Sequence, residues 1–179
     1  MSVAHCPQSN LKLASGFCPT EKLRLAGVNV AIGTDGCASN NDLDMFGEMR
    51  TAALLAKGVA GDASAFDAAF ALQAATLNGA RAIGLADRIG SIVPGKQADI
   101  ILVRTDQVNV APVIDPVATV VICADNSNID TVMVGGRIVK HNGQLIRLDL
   151  PRLLDRLSGA RDYLLSHAGV IPKWILSRR

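Results

Sequence analysis

Residues Val28 to Asn41, VNVAIGTDGCASNN, constrain this chain more than any other stretch. Val28, Val30 and Ile32 form a short apolar run that reads as a buried strand. The run stops at Gly33, and Asp35 follows at once between Thr34 and Gly36. A carboxylate at the end of a buried strand is where an α/β protein tends to place chemistry. It is equally a residue that caps loops and helices. The stretch alone leaves both readings open.

The elements on either side make this strand part of an α/β unit. Residues 2–6 read as the end of a strand closed by Pro7, which cannot donate to a ladder. His5 sits at that strand end, either as an ordinary polar terminator or as a catalytic group, and Ser9 and Asn10 follow in a polar turn. Residues 19–26 read as a short helix that Gly27 ends. Strand, helix, strand implies a right-handed crossover. Beyond the loop, residues 42–57 carry a helical stripe of Leu43, Phe46, Met49, Ala53 and Leu54, with Gly58 as terminator. A further helix opens at Ser64, with Asp67 in the capping-box position, and runs through Phe66, Ala69, Phe70, Gln73, Ala74 and Leu77 toward Gly84.

The pattern changes at Leu85. Ile89 to Val93 and Ile100 to Val103 read as strands around Pro94-Gly95, with Asp99 just ahead of the second. The β-branched residues of Val117 to Ala124 favour a strand, and Pro116 leaves a helix as the alternative. Thr131 to Val134 and Arg137 to Lys140 make a hairpin about Gly135-Gly136. Asn142-Gly143 is a second turn, leading to a strand over Gln144 to Leu148. Pro151 to Ser166 reads as an amphipathic helix with Leu153, Leu154, Leu157 and Leu164 on its buried side. The tail IPKWILSRR either docks on a surface or ends free.

Composition narrows the function classes. Hydrophobic residues make up 49% and aromatics 3%, so the chain is globular with a core of Ala, Val, Ile and Leu. A net charge of +2, on basic residues spread along the chain, argues against a nucleic-acid partner. Cys6, Cys18, Cys37 and Cys123 form no C-x-x-C pair, so no zinc ribbon or thioredoxin-like motif is expected. No apolar run approaches the ~20 residues that span a bilayer, and the N-terminus lacks a signal-peptide pattern. No membrane partner is expected, and a cytoplasmic location is.

Three segments carry a family resemblance: HCPQSNLKLASG from His5, GTDGCASNNDLDMFGEMRTAALL from Gly33 and IGSIVPGKQADIILV from Ile89. In these the chain resembles the C-terminal part of the metal-dependent amidohydrolases, in particular the 5-methylthioadenosine/S-adenosylhomocysteine deaminases and the related triazine hydrolases. The resemblance implies a (β/α)8 barrel with a small β-sandwich. Residues 1–84 would be a partial barrel, the last two strands with their helices. Residues 85–148 would be the C-terminal share of the sandwich, and residues 149–179 a terminal helix and tail.

The resemblance also implies the chemistry. Asp35 falls on the family's metal-ligating aspartate, and His5 on a histidine at the substrate side of the site. The cofactor implied is a divalent metal, zinc or iron, which lowers the pKa of a bound water. The aspartate ligates the metal and takes the water's proton; hydroxide attacks the carbon bearing an exocyclic amine, and ammonia leaves. The substrate implied is a small nucleoside or heterocyclic amine.

The family's other ligands lie in a His-x-His pair, in a histidine with a glutamate three residues later, and in a further histidine. This chain has His5, His141 and His167, none in those patterns. One aspartate does not hold a catalytic zinc, which takes three protein ligands. A closed barrel of this type also needs roughly 200 residues at least. The expectation is therefore an aminohydrolase truncated at its N-terminus and inactive alone, self-associating or completed by another chain. The alternative is a non-catalytic remnant that binds a partner.

Overall fold

The computed structural model describes residues 1–168 and divides into two compact units, one over residues 1–144 and one that begins at Leu145. The tail IPKWILSRR lies outside the described residues. The first unit is mixed α/β. Strand β1 (Ser2–His5) and strand β2 (Asn29–Ile32) pair in parallel, with His5 opposite Ile32. Parallel partners need a crossover, and here it carries helix α1 (Pro7–Lys12) and helix α2 (Thr20–Leu25). Helix α1 replaces the polar turn expected after Pro7. Proline closes β1 as expected and also opens a helix, since its missing N–H is no loss in a first turn.

Helix α3 (Met45–Ala60) begins at an Asp44 side chain that accepts from the Phe46 N–H. It runs through Gly58, the expected terminator, and stops at Gly61 in the left-handed conformation. Gly58 supports a helix at modest cost, whereas the positive φ at Gly61 ends it. The buried face of α3 is Phe46, Met49, Ala52, Ala53 and Ala56, and it packs with Val30, Ile32 and Phe66 in one core. Asp67, not Ser64, caps the next helix, α4 (Ala68–Ala75), by accepting from the Phe70 N–H. Thr76 breaks the pattern, and α5 (Leu77–Ala82) completes the stretch.

An antiparallel sheet follows, of β3 (Ile100–Val103), β4 (Ile129–Val134) and β5 (Arg137–His141). Residues 89–93 form no strand. Their segment is held by Lys96, whose ammonium donates to the Ala86 and Ile89 carbonyls and to Ser91 Oγ. The open alternative at Pro116 resolves to helix. Asp115 accepts from the Val117 and Ala118 N–H groups, and a single helical turn, α6 (Pro116–Ala118), leads into a wide turn over Thr119–Cys123. Asn142 and Gly143 take positive φ and turn the chain after β5, as a two-residue hairpin requires. The strand beyond is two residues, β6 (Gln144–Leu145), not the five expected.

In the second unit, α7 (Leu150–Ala168) forms where the amphipathic pattern places it. Its leucines are exposed rather than buried: Leu153, Leu154, Leu157 and Leu164 all face water. Among the described residues no helix is long and apolar enough to cross a membrane.

Candidate active site

The site is built where β1 and β2 end together. The Gly33 N–H donates to the His5 carbonyl at 2.9 Å, which carries the parallel ladder one residue past Ile32. There the strand path must turn, and a Cβ at Gly33 would come within 3.3 Å of Cys6 Sγ. Asp35 takes φ of 62°, a left-handed conformation that Asp tolerates better than most side chains. The backbone therefore leaves the strand line at Asp35.

Two hydroxyls fix that carboxylate. Ser9 Oγ, from α1, and Ser39 Oγ, from the loop after the strand, each donate to Asp35 Oδ2 at 2.7 Å. Both bonds go to one oxygen, so neither serine engages Oδ1. The two hydroxyls, Ser9 first, together with the Gly36 backbone, hold the Asp35 carboxyl below the usual carboxylate range. It is ionised at neutral pH. Lys12, also on α1, donates to the Ala38 carbonyl and to Asn41 Oδ1, each at 2.8 Å, and pins the same loop from a second point.

His5 ends β1 with 3% of its surface exposed, and its Nδ1 has no hydrogen-bond partner. Burial pushes its pKa down, so the imidazole is neutral. The strand register thus brings His5 and Asp35 to the same end of one parallel pair, the first buried and the second open to solvent. The Cys6 thiol beside them is pushed up, chiefly by burial and then by the Asp35 and Glu48 carboxylates, so it is not an activated nucleophile.

Sequence reasoning missed the residues that support Asp35. Glu48 is fully buried and accepts from the Gln8 N–H at 3.2 Å and from Asn40 Nδ2. Asn40, also buried, accepts at Oδ1 from the Leu43 and Asp42 N–H groups at 2.8 and 3.2 Å. Burial is the main cause that raises the Glu48 pKa, and its hydrogen bonds oppose it. The available signal was a carboxylate on the apolar face of α3, set between Phe46 and Met49.

The metal expectation is testable on this donor set. His141 lies at the end of β5, where its Nδ1 is 3.2 Å from Thr131 Oγ1, and His167 stacks on Tyr163 in α7. Among the described residues, no three His, Cys, Asp or Glu side chains come together as a metal site. Asp35 fits as one ligand, but the described residues do not complete a catalytic zinc site.

Comparison with known proteins agrees with this architecture. A model of the amidohydrolase family matches residues 1–139. The 5-methylthioadenosine/S-adenosylhomocysteine deaminase of Moorella thermoacetica is 54% identical over 149 residues, 83% of this chain and 35% of that protein. The 5'-deoxyadenosine deaminase of Methanothermobacter thermautotrophicus is 47% identical over 145 residues, 81% of this chain and 34% of that protein. An adenosine deaminase from Xanthomonas campestris with bound zinc matches with a TM-score of 0.90 at 51% identity, over 92% of this chain and 38% of that one. A mutant of the atrazine chlorohydrolase of Arthrobacter aurescens, complexed with zinc and atraton, gives 0.81 at 28% identity, over 88% of this chain and 35% of that one. The chain spans about a third of the length of the curated relatives it matches.

Proposed function

The chain belongs to the amidohydrolase family, and on that premise we propose that it carries the C-terminal share of a site for hydrolytic deamination of an adenosine-type nucleoside, 5-methylthioadenosine or S-adenosylhomocysteine. One observation carries the reading: Asp35 stands at the C-terminal end of a parallel strand pair with its carboxylate held ionised by Ser9 and Ser39. That end of the strands is where barrel enzymes place their reacting groups. In this reading β1 and β2 are the last two strands of a (β/α)8 barrel within residues 1–84. Residues 85–148 are the C-terminal share of a small sandwich, and residues 149–179 a terminal helix and tail.

The roles are those the family resemblance implies, and the geometry supports them. An ionised carboxylate accepts a proton, and among the described residues no cation pairs with Asp35, so in this reading it takes the proton of the water that attacks the amine-bearing carbon. Oxygen bonds to that carbon, the proton held by Asp35 passes to the amine nitrogen, and the C–N bond breaks; the nitrogen leaves as ammonia, and the second hydrogen of the water stays on the product. His5, neutral and buried at the neighbouring strand end, is the residue this reading assigns to the substrate side. Asp35 is also the ligand this chain offers to the family's divalent metal, zinc or iron. The remaining ligands would come from residues outside this sequence, in a longer protein or in a complementing chain.

A chimera tests this reading: the segment of the Moorella thermoacetica relative that matches this chain is replaced by the corresponding residues of this chain. The chimera is expected to release ammonia from 5-methylthioadenosine, and Asp35→Asn to lower that rate by about a hundredfold or more. The 179-residue chain alone is expected to hold no stoichiometric metal and to release no ammonia. An Asp35→Asn chimera as fast as its parent overturns the role of Asp35. Stoichiometric zinc and turnover in the chain alone overturn its place as one share of a site. A chimera that folds but has no activity favours a second reading, a non-catalytic module, for which the incomplete donor set is the supporting observation.

A further inference from the structure

We infer that Glu48 is a positioning residue for Asp35, acting through two arms that meet again on the Asp35 carboxylate. This rests on the reading of Asp35 as the reacting group. Glu48 lies on α3, a turn inside the Asp44 cap, and its side chain has no solvent exposure. One carboxylate oxygen, Oε2, accepts from the Gln8 N–H; the other, Oε1, accepts from Asn40 Nδ2. Gln8 is followed by Ser9, and Asn40 is preceded by Ser39. Those serines are the two hydroxyls that grip Asp35 Oδ2. A single buried side chain therefore fixes the immediate neighbours of both residues that hold the reacting carboxylate.

The arrangement is more than packing. A buried carboxylate is costly unless its oxygens are satisfied, and an apolar residue of the same volume would fill the space on α3 at less cost. What the carboxylate adds is two acceptors facing opposite ways, one toward the start of α1 and one toward the loop. Asn40 extends the second arm, since its Oδ1 orders the Asp42 and Leu43 amides that lead into α3. Glycine at position 47 keeps the passage clear, as a Cβ there would meet Gln8 Nε2 at 2.7 Å and Asp44 Oδ2 at 3.1 Å. The loop that carries Asp35 is thus clamped to α1 and α3 at once, and the Asp35 side chain inherits its position from the clamp.

The test separates positioning from bulk stability. Glu48→Gln puts an amide N–H₂ against a donor and breaks one arm. Adding Asn40→Asp reverses donor and acceptor across the buried pair, so the double variant restores both arms without Glu48. In the full chain, with aspartate 13Cγ labelled and pH held constant, Glu48→Gln is expected to move the Asp35 resonance and to speed amide exchange at Gln8. The double variant is expected to return both to the parent values. In the chimera, Glu48→Gln should lower kcat on the order of tenfold with KM unchanged, the double variant should recover it, and Glu48→Gln should add nothing to Asp35→Asn.

An Asp35 resonance unmoved in folded Glu48→Gln overturns the inference, as does a kcat that the double variant fails to recover while its melting temperature returns. If Glu48→Gln does not fold, a folded double variant with a displaced Asp35 resonance overturns it equally. Full activity of the Asp35→Asn chimera strikes the reading of Asp35 instead, and the labelled resonance still decides whether Glu48 positions it.

Discussion

Ser9 Oγ donates to Asp35 Oδ2 at 2.7 Å, and it does so from α1, an element the sequence pattern presents as a turn. The bond favours the ionised carboxylate, as does the equal one from Ser39. Ser9→Ala is therefore expected to raise the Asp35 pKa toward the ordinary aspartate value of about 3.9, and Ser39→Ala to raise it less. The double variant should raise it most. Titration of the Asp35 13Cγ resonance checks the order. A single serine variant that leaves the midpoint unchanged would mean that the Gly36 backbone and the other hydroxyl suffice.

His5 gives a stability effect of defined sign. Its folded-state pKa lies below the usual value near 6.5 because the buried ring resists charge. The unfolded chain binds the proton first as the pH falls, so stability is fully present above that value. It declines as the pH drops through it, until the lowered folded pKa is passed. Urea midpoints measured at pH 7.5 and 5.5 should fall more for the parent than for His5→Gln. Equal slopes for the two proteins would refute it.

Much of this was legible in the residues. The run Val28 to Ile32, rich in β-branched residues, is short and set between Gly27 and Gly33, and that length and punctuation favour a strand over a helix. The hairpin between β4 and β5 and the Asn142-Gly143 turn follow from residues that accept positive φ. Asp35 was legible as a position, while its environment was not. Ser9 and Ser39 are distant in sequence and meet only because β1 and β2 align in parallel, which pairs strand ends that no local pattern links. Glu48 was hidden for the opposite reason. Periodicity marks it as one polar residue on an apolar stripe, and only packing reveals that the carboxylate is turned inward to two donors. The leucines of α7 show the limit of the helical stripe, which specifies that a face is apolar and not what covers it.

Two glycines behave oppositely. Gly90 has φ of 88°, and a Cβ there would meet Ala80 Cβ at 2.7 Å and the Leu77 backbone at 3.0 Å. Gly90→Ala is expected to cost on the order of 1–3 kcal/mol, because neither the torsion nor the backbone of α5 can yield cheaply. Gly58 sits inside α3 with open space around it, so Gly58→Ala is expected to stabilise by about 0.5–1 kcal/mol. Urea unfolding of the two variants should give shifts of opposite sign.

Phe66 is 1% exposed in a chain whose core is otherwise mostly alanine and small aliphatics. Its ring meets Phe70 edge-on, with centroids 4.9 Å apart. Few neighbours are large enough to move into the space it fills. Phe66→Ala is therefore expected near the top of the usual range, about 3–5 kcal/mol, by chemical denaturation. A loss under about 1 kcal/mol would mean that α3 and α4 close over the gap.

Asn78 joins the helical layer to the strand pair through a single amide. Its Nδ2 donates to the Val30 carbonyl at 2.9 Å, and its Oδ1 accepts from Gln73 Nε2 at 3.1 Å and Arg81 Nη1 at 3.0 Å. Its own carbonyl accepts from Asn29 Nδ2 at 3.0 Å. Asn78→Ala removes the side-chain bonds and leaves a carbonyl of β2 buried without its donor. The expected cost is about 1–3 kcal/mol, the penalty of an unsatisfied buried group. Gln73 and Arg81 are less deeply buried than Asn78 and regain water, so Gln73→Ala and Arg81→Ala should each cost less. Amide exchange locates the effect, since Asn78→Ala should quicken exchange along β1 and β2 and leave the sheet of β3, β4 and β5 unchanged. Faster exchange in both sheets alike would instead mark Asn78 as a residue of global stability, with no particular hold on the strands that carry His5 and Asp35.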